Sequence, residues 1–296
     1  MNPPSALSLS VPERREALRT LLSLSAPPPM LGSIEERSCA GPAGPLPLRI
    51  YSPAQNSGSE LPALVYFHGG GMVAGDLDTH DVIARCLCAA GRLRLVSVGY
   101  RLAPEARFPA APLDALAATS WVAAQAAELG VDPKRIAVGG DSAGATLAAV
   151  VCQLALLQGA PRLALQFLLC PILDYATARQ SRLDLATGYL VDEATLQHDL
   201  RYYLADATDP GDPRVSPLRA TQLSGLPPAC IHTAEFDPLR DEGHDYAERL
   251  GRAGVPVRYH CHPGMIHLFY GLGAVIPGVA AAYQRMGTDL RELLCA

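Results

Sequence analysis

RIAVGGDSAGATLAA, residues 135–149, changes its local rule twice within a short stretch. Ile136, Ala137 and Val138 form an apolar, partly β-branched run of the kind a buried strand uses. Gly139 and Gly140 interrupt it, and after Ser142 the alanine-rich sequence favours a helix. The stretch therefore predicts a strand, a sharp turn and a helix, with Gly140-x-Ser142-x-Gly144 at the turn. The spacing has a mechanical reason. A residue at the tip of so tight a turn takes strained backbone angles, and side chains two positions before and after it would strike the neighbouring strand and helix. Glycine at both places removes the collision. The turn also sets Ser142 at the amino end of the following helix, where unpaired N–H groups and the macrodipole favour negative charge. That setting suits a serine nucleophile whose reaction passes through an oxyanion. A serine that only caps a helix would read the same over these few residues.

The same alternation extends outward. Apolar runs rich in Val, Ile and Leu recur at residues 64–67, 93–98, 163–169, 229–233 and 257–259, each followed by glycine or proline. Helical patterns lie between them at 81–90, 113–129, 143–157, 239–253 and 279–294. Strands separated by helices need crossover connections, which predicts an α/β protein with a mostly parallel central sheet flanked by helices. Two segments break the pattern. Residues 1–45 carry a polar helix pattern near 12–24 and then Pro27-Pro28-Pro29, and residues 175–222 carry helical stretches with Tyr189, Tyr202 and Tyr203 but no convincing strand. Both are expected to pack together as a helical cap over the carboxyl edge of the sheet, leaving 46–174 and 223–296 as the core.

Bulk composition narrows the function classes. Hydrophobic residues make up 49% of 296 and charged residues 18%, which excludes a disordered chain. With 24 basic against 29 acidic residues and no long run of either sign, nothing would concentrate nucleic acid. No apolar run reaches the roughly 18 residues a membrane span needs. The opening residues lack a basic segment followed by an apolar one, so the expected compartment is the cytoplasm. The eight cysteines sit mostly in apolar runs and read as buried free thiols. Cys86-Leu-Cys88 lacks the spacer of a zinc knuckle, and His260-Cys261-His262 has no obvious second ligand pair, so no metal site is expected.

Residues 64–67, LVYF, run directly into His68-Gly69-Gly70-Gly71. Consecutive glycines let the backbone turn its N–H groups into a cavity and let a substrate come close. Gly69 and Gly70, with the N–H of Ala143, are the predicted oxyanion donors, each worth about 2.7–4 kcal/mol when removed. A phosphate-binding turn is the other use of such a loop, but the Lys-Ser/Thr ending and the dinucleotide spacing are missing. His68 reads as a residue that orders this loop.

A serine hydroxyl needs an imidazole within reach and a carboxylate that fixes the imidazole tautomer. In the fold class with this turn, acid and histidine follow the serine in that order. The strand-like run 229–234 opens onto EFDPLRDE, residues 235–242. Asp237 lies just past the strand end and is the predicted acid, with Glu235 as its competitor. Asp241 and Glu242 read as first-turn charges of the next helix. Of His260, His262 and His267, the last occupies the loop beyond the final strand and is the predicted base. His232, inside a strand, and His244, inside a helix, read as structural.

His68-Gly-Gly-Gly71, Tyr100-Arg-Leu-Ala-Pro-Glu105, Gly140-Asp-Ser-Ala-Gly144, Asp237-Pro-Leu-Arg-Asp-Glu-Gly243 and Gly264-Met-Ile-His267 together resemble the bacterial hormone-sensitive-lipase-like esterases, in the subgroup with Asp before the serine. The resemblance runs in order from about residue 45 to 270. It implies an α/β-hydrolase fold with a helical cap, no cofactor, and hydrolysis of short- to medium-chain acyl esters by Ser142, His267 and Asp237. Met72, Ala145-Thr146 and Leu268 depart from the usual pattern and bear on pocket shape. Met72, Asp141, Tyr189 and Leu268 are the candidate pocket residues. The implied partner is a small-molecule ester, with a homodimer as a further expectation. A small-molecule receptor and an amide hydrolase with the same triad are the rival readings. The plant gibberellin receptors resemble this family without the catalytic histidine, whereas His267 is present here.

Overall fold

Every side chain from Leu61 to Phe67 is buried, and the strand they form lies in the interior of an eight-stranded sheet. The computed structural model describes residues 8–54 and 60–295. Its elements, in chain order, are α1 (Val11–Leu22), β1 (Ser33–Gly41), β2 (Gly44–Ser52), β3 (Leu61–Phe67), α2 (Asp81–Gly91), β4 (Arg94–Val98), α3 (Ala110–Ala124) and β5 (Val131–Asp141). They continue with α4 (Ala143–Gln158), β6 (Leu165–Leu169), α5 (Gln180–Asp184), α6 (Glu193–Tyr203), β7 (Ala229–Phe236), α7 (Arg240–Arg252), β8 (Val257–Ile266) and α8 (Val279–Cys295). The strand order is β1-β2-β4-β3-β5-β6-β7-β8, antiparallel from β1 to β4 and parallel from there on.

Side chains alternate across each strand, so one sheet feeds two cores. Ala63, Val65 and Phe67 point to the face packed by α3, α4 and α7, whereas Leu64 and Tyr66 point to the face packed by α2 and α8. Because both faces are covered, the parallel strands read as continuous apolar runs, which is why they are legible in sequence.

One boundary differs from the sequence reading. Residues 33–41, expected to stand apart from the sheet, form its edge strand β1, paired with β2 from Ser33↔Ser52 to Gly41↔Gly44. The strand is half exposed and carries Glu35, Glu36 and Arg37, so no apolar run announces it. Ahead of it, α1 starts with a capping box between Ser10 and Glu13. It docks on α6 through a two-pronged pair, Arg14 Nε and Nη2 to Asp199 at 3.2 and 2.9 Å. His198 Nε2 adds a contact of 3.0 Å to the Leu9 carbonyl oxygen. Residues 1–7 of the expected cap lie outside the described residues.

Glu242 also departs from expectation. It is fully buried, accepts the N–H groups of Leu173 and Asp174 at 2.6 and 2.9 Å, and pairs with Arg182 of α5 at 2.9 Å. It therefore ties the segment after β6 to α7 rather than decorating a helix end. Replacing Arg182 with Ala leaves a buried charge without its partner and is expected to cost about 3–5 kcal/mol of unfolding free energy by urea titration. The double variant R182M/E242Q keeps the backbone acceptor and removes both charges, and is expected to recover most of that loss.

Candidate active site

β5 ends at Asp141 and α4 begins at Ala143, so Ser142 occupies the turn alone, at φ 52° and ψ −120°. Its N–H donates to the Leu169 carbonyl oxygen at 2.8 Å. A Cβ on Gly144 would run into the Phe67 carbonyl oxygen, and one on Gly140 into the backbone of Gly144 and Phe67. The two glycines thus let β3, β5 and α4 approach closely enough to hold the turn. As the first residue of α4, Ala143 has an N–H with no intrahelical acceptor.

The glycine loop after β3 is pinned from beneath by Asp141. This carboxylate is fully buried and accepts from the Tyr66 hydroxyl, from the Gly69 N–H at 2.9 Å and from the Tyr270 hydroxyl at 3.2 Å. His80 Nε2 stands 3.5 Å away. Burial alone would raise the Asp141 carboxyl, but His80, Tyr66 and His68 outweigh it, so it sits below its ordinary range. His68 orders the same loop. Its Nδ1 is 2.8 Å from the Gly69 carbonyl oxygen, its ring stacks on Tyr100, and the Tyr100 hydroxyl donates to its carbonyl oxygen at 2.7 Å. Burial and the neighbouring His80 push the His68 imidazole down to about 4, so it stays neutral.

This geometry corrects the predicted oxyanion set. The Gly69 N–H is committed to Asp141, and Gly69 does not line the cavity in front of Ser142, whereas Gly70 and Gly71 do. Both have positive φ, 116° and 67°, and a Cβ on Gly71 would run into the Asp199 carboxylate. Gly70 and Gly71, with Ala143 at the start of α4, are therefore the candidate donors, one residue further along the loop than the sequence suggested.

Past β7, Asp237 is fully buried and divides its two oxygens: Oδ1 accepts the Leu239 N–H at 2.8 Å, and Oδ2 lies 2.8 Å from His267 Nδ1. Glu235, the competitor, instead accepts the Gly264 N–H at 2.7 Å. Cys170 Sγ stands with this pair, the three ligand atoms within 4.8 Å of one another. A tetrahedral zinc would hold ligand atoms about 3.3–3.8 Å apart. The imidazole and carboxylate, at 2.8 Å, are hydrogen-bonded instead.

Ser142, His267, Gly70 and Gly71 face one cavity of about 460 Å³, a volume suited to a small organic ligand. Its other walls come from α1, through Arg14, Ala17, Leu18 and Leu21, and from Leu190 to Asp199 around α6. Of the candidate pocket residues, Leu268 and Asp141 line it. Met72 and Tyr189 do not. Met72 is buried in the core with its carbonyl oxygen accepting the Ala103 N–H, and Tyr189 stacks on Phe236 at 5.8 Å. Tyr203 packs edge-on against Phe108, also away from the cavity. Sequence reasoning passed over the α1 wall, whose signal was the apolar spacing of Leu18, Leu21 and Leu22 in an otherwise polar helix.

Burial alone would lower the His267 imidazole, but the Asp237 carboxylate outweighs it and the net shift is upward from the ordinary histidine value of about 6.5. Only the neutral ring can accept a proton from a hydroxyl. The rising limb of kcat/KM against pH for a neutral ester is therefore expected to have its midpoint above 6.5. The same upward shift contributes stability below pH 6.5 that is lost as pH rises through the folded-state value.

A family model described as alpha/beta hydrolase fold matches residues 64–271. The carboxylic ester hydrolase LipN of Mycobacterium tuberculosis is 42% identical over 95% of this chain and 76% of its own. The carboxylesterase NlhH of the same species is 42% identical over 93% of this chain and 88% of its own. Among solved structures, an ester hydrolase from the metagenome of Lake Arreo, complexed with a derivative of bipyridine phosphonate, superposes with a TM-score of 0.96 at 37% identity, covering 100% of this chain and 94% of that one.

Proposed function

The chain belongs to the α/β-hydrolase family, in its hormone-sensitive-lipase-like branch, and is a carboxylic-ester hydrolase; from that premise we propose that Ser142, His267 and Asp237 carry the reaction. The observation that carries this reading is the convergence of Ser142, His267, Gly70 and Gly71 on one cavity, with Asp237 hydrogen-bonded behind the imidazole. His267 takes the Ser142 proton as the hydroxyl oxygen attacks the ester carbonyl, and Asp237 stabilises the imidazolium. The N–H groups of Gly70, Gly71 and Ala143 receive the oxyanion. The alcohol leaves with the proton from His267, and a water activated by the same ring clears the acyl-enzyme.

The segment ahead of β1 and the segment 175–222 form the cap in this reading. The Arg14–Asp199 pair and the shared cavity wall of α1 and α6 support it. A cavity of about 460 Å³ favours short- to medium-chain acyl groups. The free state of all eight cysteines supports a reducing, cytoplasmic setting. The position of β8 at the sheet edge supports pairing with a second copy. No helix among the described residues is long and apolar enough to cross a membrane.

A short p-nitrophenyl alkylphosphonate tests the assignment. One equivalent is expected to attach to Ser142, identified by peptide mass, in parallel with complete loss of hydrolysis across a p-nitrophenyl acyl-chain series. Labelling elsewhere, or hydrolysis that survives full labelling, removes Ser142 from the proposal.

A further inference from the structure

Asp199 belongs to α6, yet its carboxylate fills the space that a side chain on Gly71 would take. Gly70 and Gly71 face the same cavity as Ser142, so this negative charge stands beside the donors proposed for the oxyanion. Like charges repel, and with only 5% of the Asp199 side chain exposed, water screens this one poorly. Stabilising an oxyanion requires the opposite, donors and positive charge aimed at the developing anion. The countercharge comes from another element. Arg14 of α1 lines the cavity and closes a two-pronged pair on Asp199, Nε to Oδ1 at 3.2 Å and Nη2 to Oδ2 at 2.9 Å. His198 Nδ1 lies 3.0 Å from the same Oδ1, and this bond holds the His198 imidazole above its ordinary value against the opposing effect of burial. That ring still loses its charge as pH rises, whereas the guanidinium keeps its own.

Given the triad of Ser142, His267 and Asp237, on which this rests, we propose that Arg14 is a positioning residue of the ester hydrolysis: docking of α1 sets its guanidinium on Asp199 and cancels a negative charge that would otherwise oppose the oxyanion at Gly70 and Gly71. The same guanidinium reaches the base. Facing His267 are Asp237 past β7, Asp141 at the end of β5, Cys170 after β6 and Arg14. Burial lowers the imidazole, Asp237 and then Asp141 raise it, and Arg14 opposes those two carboxylates. Asp199 in turn is faced by Arg14, His198 and Tyr175, while Asp192, also on the cavity wall, is engaged in capping α6. Arg14 thus acts on both halves of the reaction, the charge beside the glycine loop and the proton affinity of the base. With α1 undocked, Asp199 would stand as a bare carboxylate at the loop. The docked cap and the competent site are therefore one state.

The test compares R14Q, R14K, D199N and the double variant R14Q/D199N in the full chain, by kcat and KM for p-nitrophenyl butyrate across pH, with thermal unfolding to show that each is folded. R14Q uncovers the carboxylate, and its kcat on the alkaline plateau is expected to fall by about 10–100-fold with KM changed by less than about threefold. The midpoint of its rising limb in kcat/KM is expected to move up, because a positive charge near His267 is gone. D199N leaves the guanidinium unopposed, so its midpoint is expected to move down while kcat stays within about threefold of the unmodified chain. R14K keeps the charge and is expected to keep kcat within about fivefold. The double variant removes both charges and is expected to recover most of the R14Q loss. A role confined to docking α1 predicts instead that R14Q and D199N, which break the same contact, lose activity together through KM and leave the midpoint in place. That pattern overturns the proposal, as does a double variant as slow as R14Q. Should R14Q fail to fold, the downward midpoint of D199N and the retained kcat of R14K decide. The phosphonate label separates the two readings. An unmodified chain that hydrolyses the ester without labelling at Ser142 overturns the triad and this role together, whereas a labelled chain whose R14Q and D199N midpoints move in the same direction overturns the role of Arg14 alone.

Discussion

Replacing Ser142 with Ala is expected to lower kcat for p-nitrophenyl butyrate by about 10⁴–10⁶-fold while leaving the protein folded. In the proposed mechanism the hydroxyl forms the acyl-enzyme, and the Cys170 thiol near His267 is no substitute: it does not line the cavity, it is buried, and burial first, then Asp237, drives it well above the ordinary thiol value. The turn itself does not depend on the hydroxyl. It is held by the Ser142 N–H bond to Leu169 and by the close approach of Gly140 and Gly144 to β3. Thermal unfolding is therefore expected to stay near that of the unmodified chain, and the residual rate is what the oxyanion donors and substrate binding supply. A variant that turns over within tenfold of the unmodified enzyme would exclude Ser142 as nucleophile.

D237N is the second large effect, and its size follows from how the carboxylate is shared. Oδ1 accepts the Leu239 N–H and Oδ2 faces His267 Nδ1. An asparagine keeps its oxygen toward Leu239, because that N–H needs an acceptor, which turns the amide NH₂ toward His267. Nδ1 then becomes an acceptor and the ring proton moves to Nε2, the nitrogen that should receive the Ser142 proton. The base is thus present in the wrong tautomer. A fall in kcat of about 10⁴ is expected, as for the same exchange in a serine-protease triad, with KM changed much less. An equal loss in kcat and stability would show instead that Asp237 serves the fold of the loop after β7.

These expectations rest on residues that differ in how openly the sequence displays them. Ser142 and its two glycines are legible because a tight strand-to-helix turn imposes steric demands within five positions. Five of the six parallel strands, β3 to β7, are legible because burial on both faces leaves continuous apolar runs. β1 is not, since an antiparallel edge strand with a wet face needs no such run. Chain order and loop position single out the proposed acid and base, whereas the proposed oxyanion donors move one residue along once the folded loop is seen. A buried Asp141 must find donors, and only the folded loop shows that one of them is the Gly69 N–H.

By itself the sequence determined the alternating architecture and the strained serine, because each depends on sterics and periodicity over a few neighbouring residues. Tertiary structure alone decided which glycines face the cavity, that α1 and α6 wall it while Met72 and Tyr189 do not, and that Arg14 meets Asp199 beside the glycine loop. Those outcomes depend on strand register and helix docking, which join residues far apart in the chain, as Arg14 and Asp199 are at 185 positions. No local pattern encodes a contact whose partner is chosen by how the whole sheet closes.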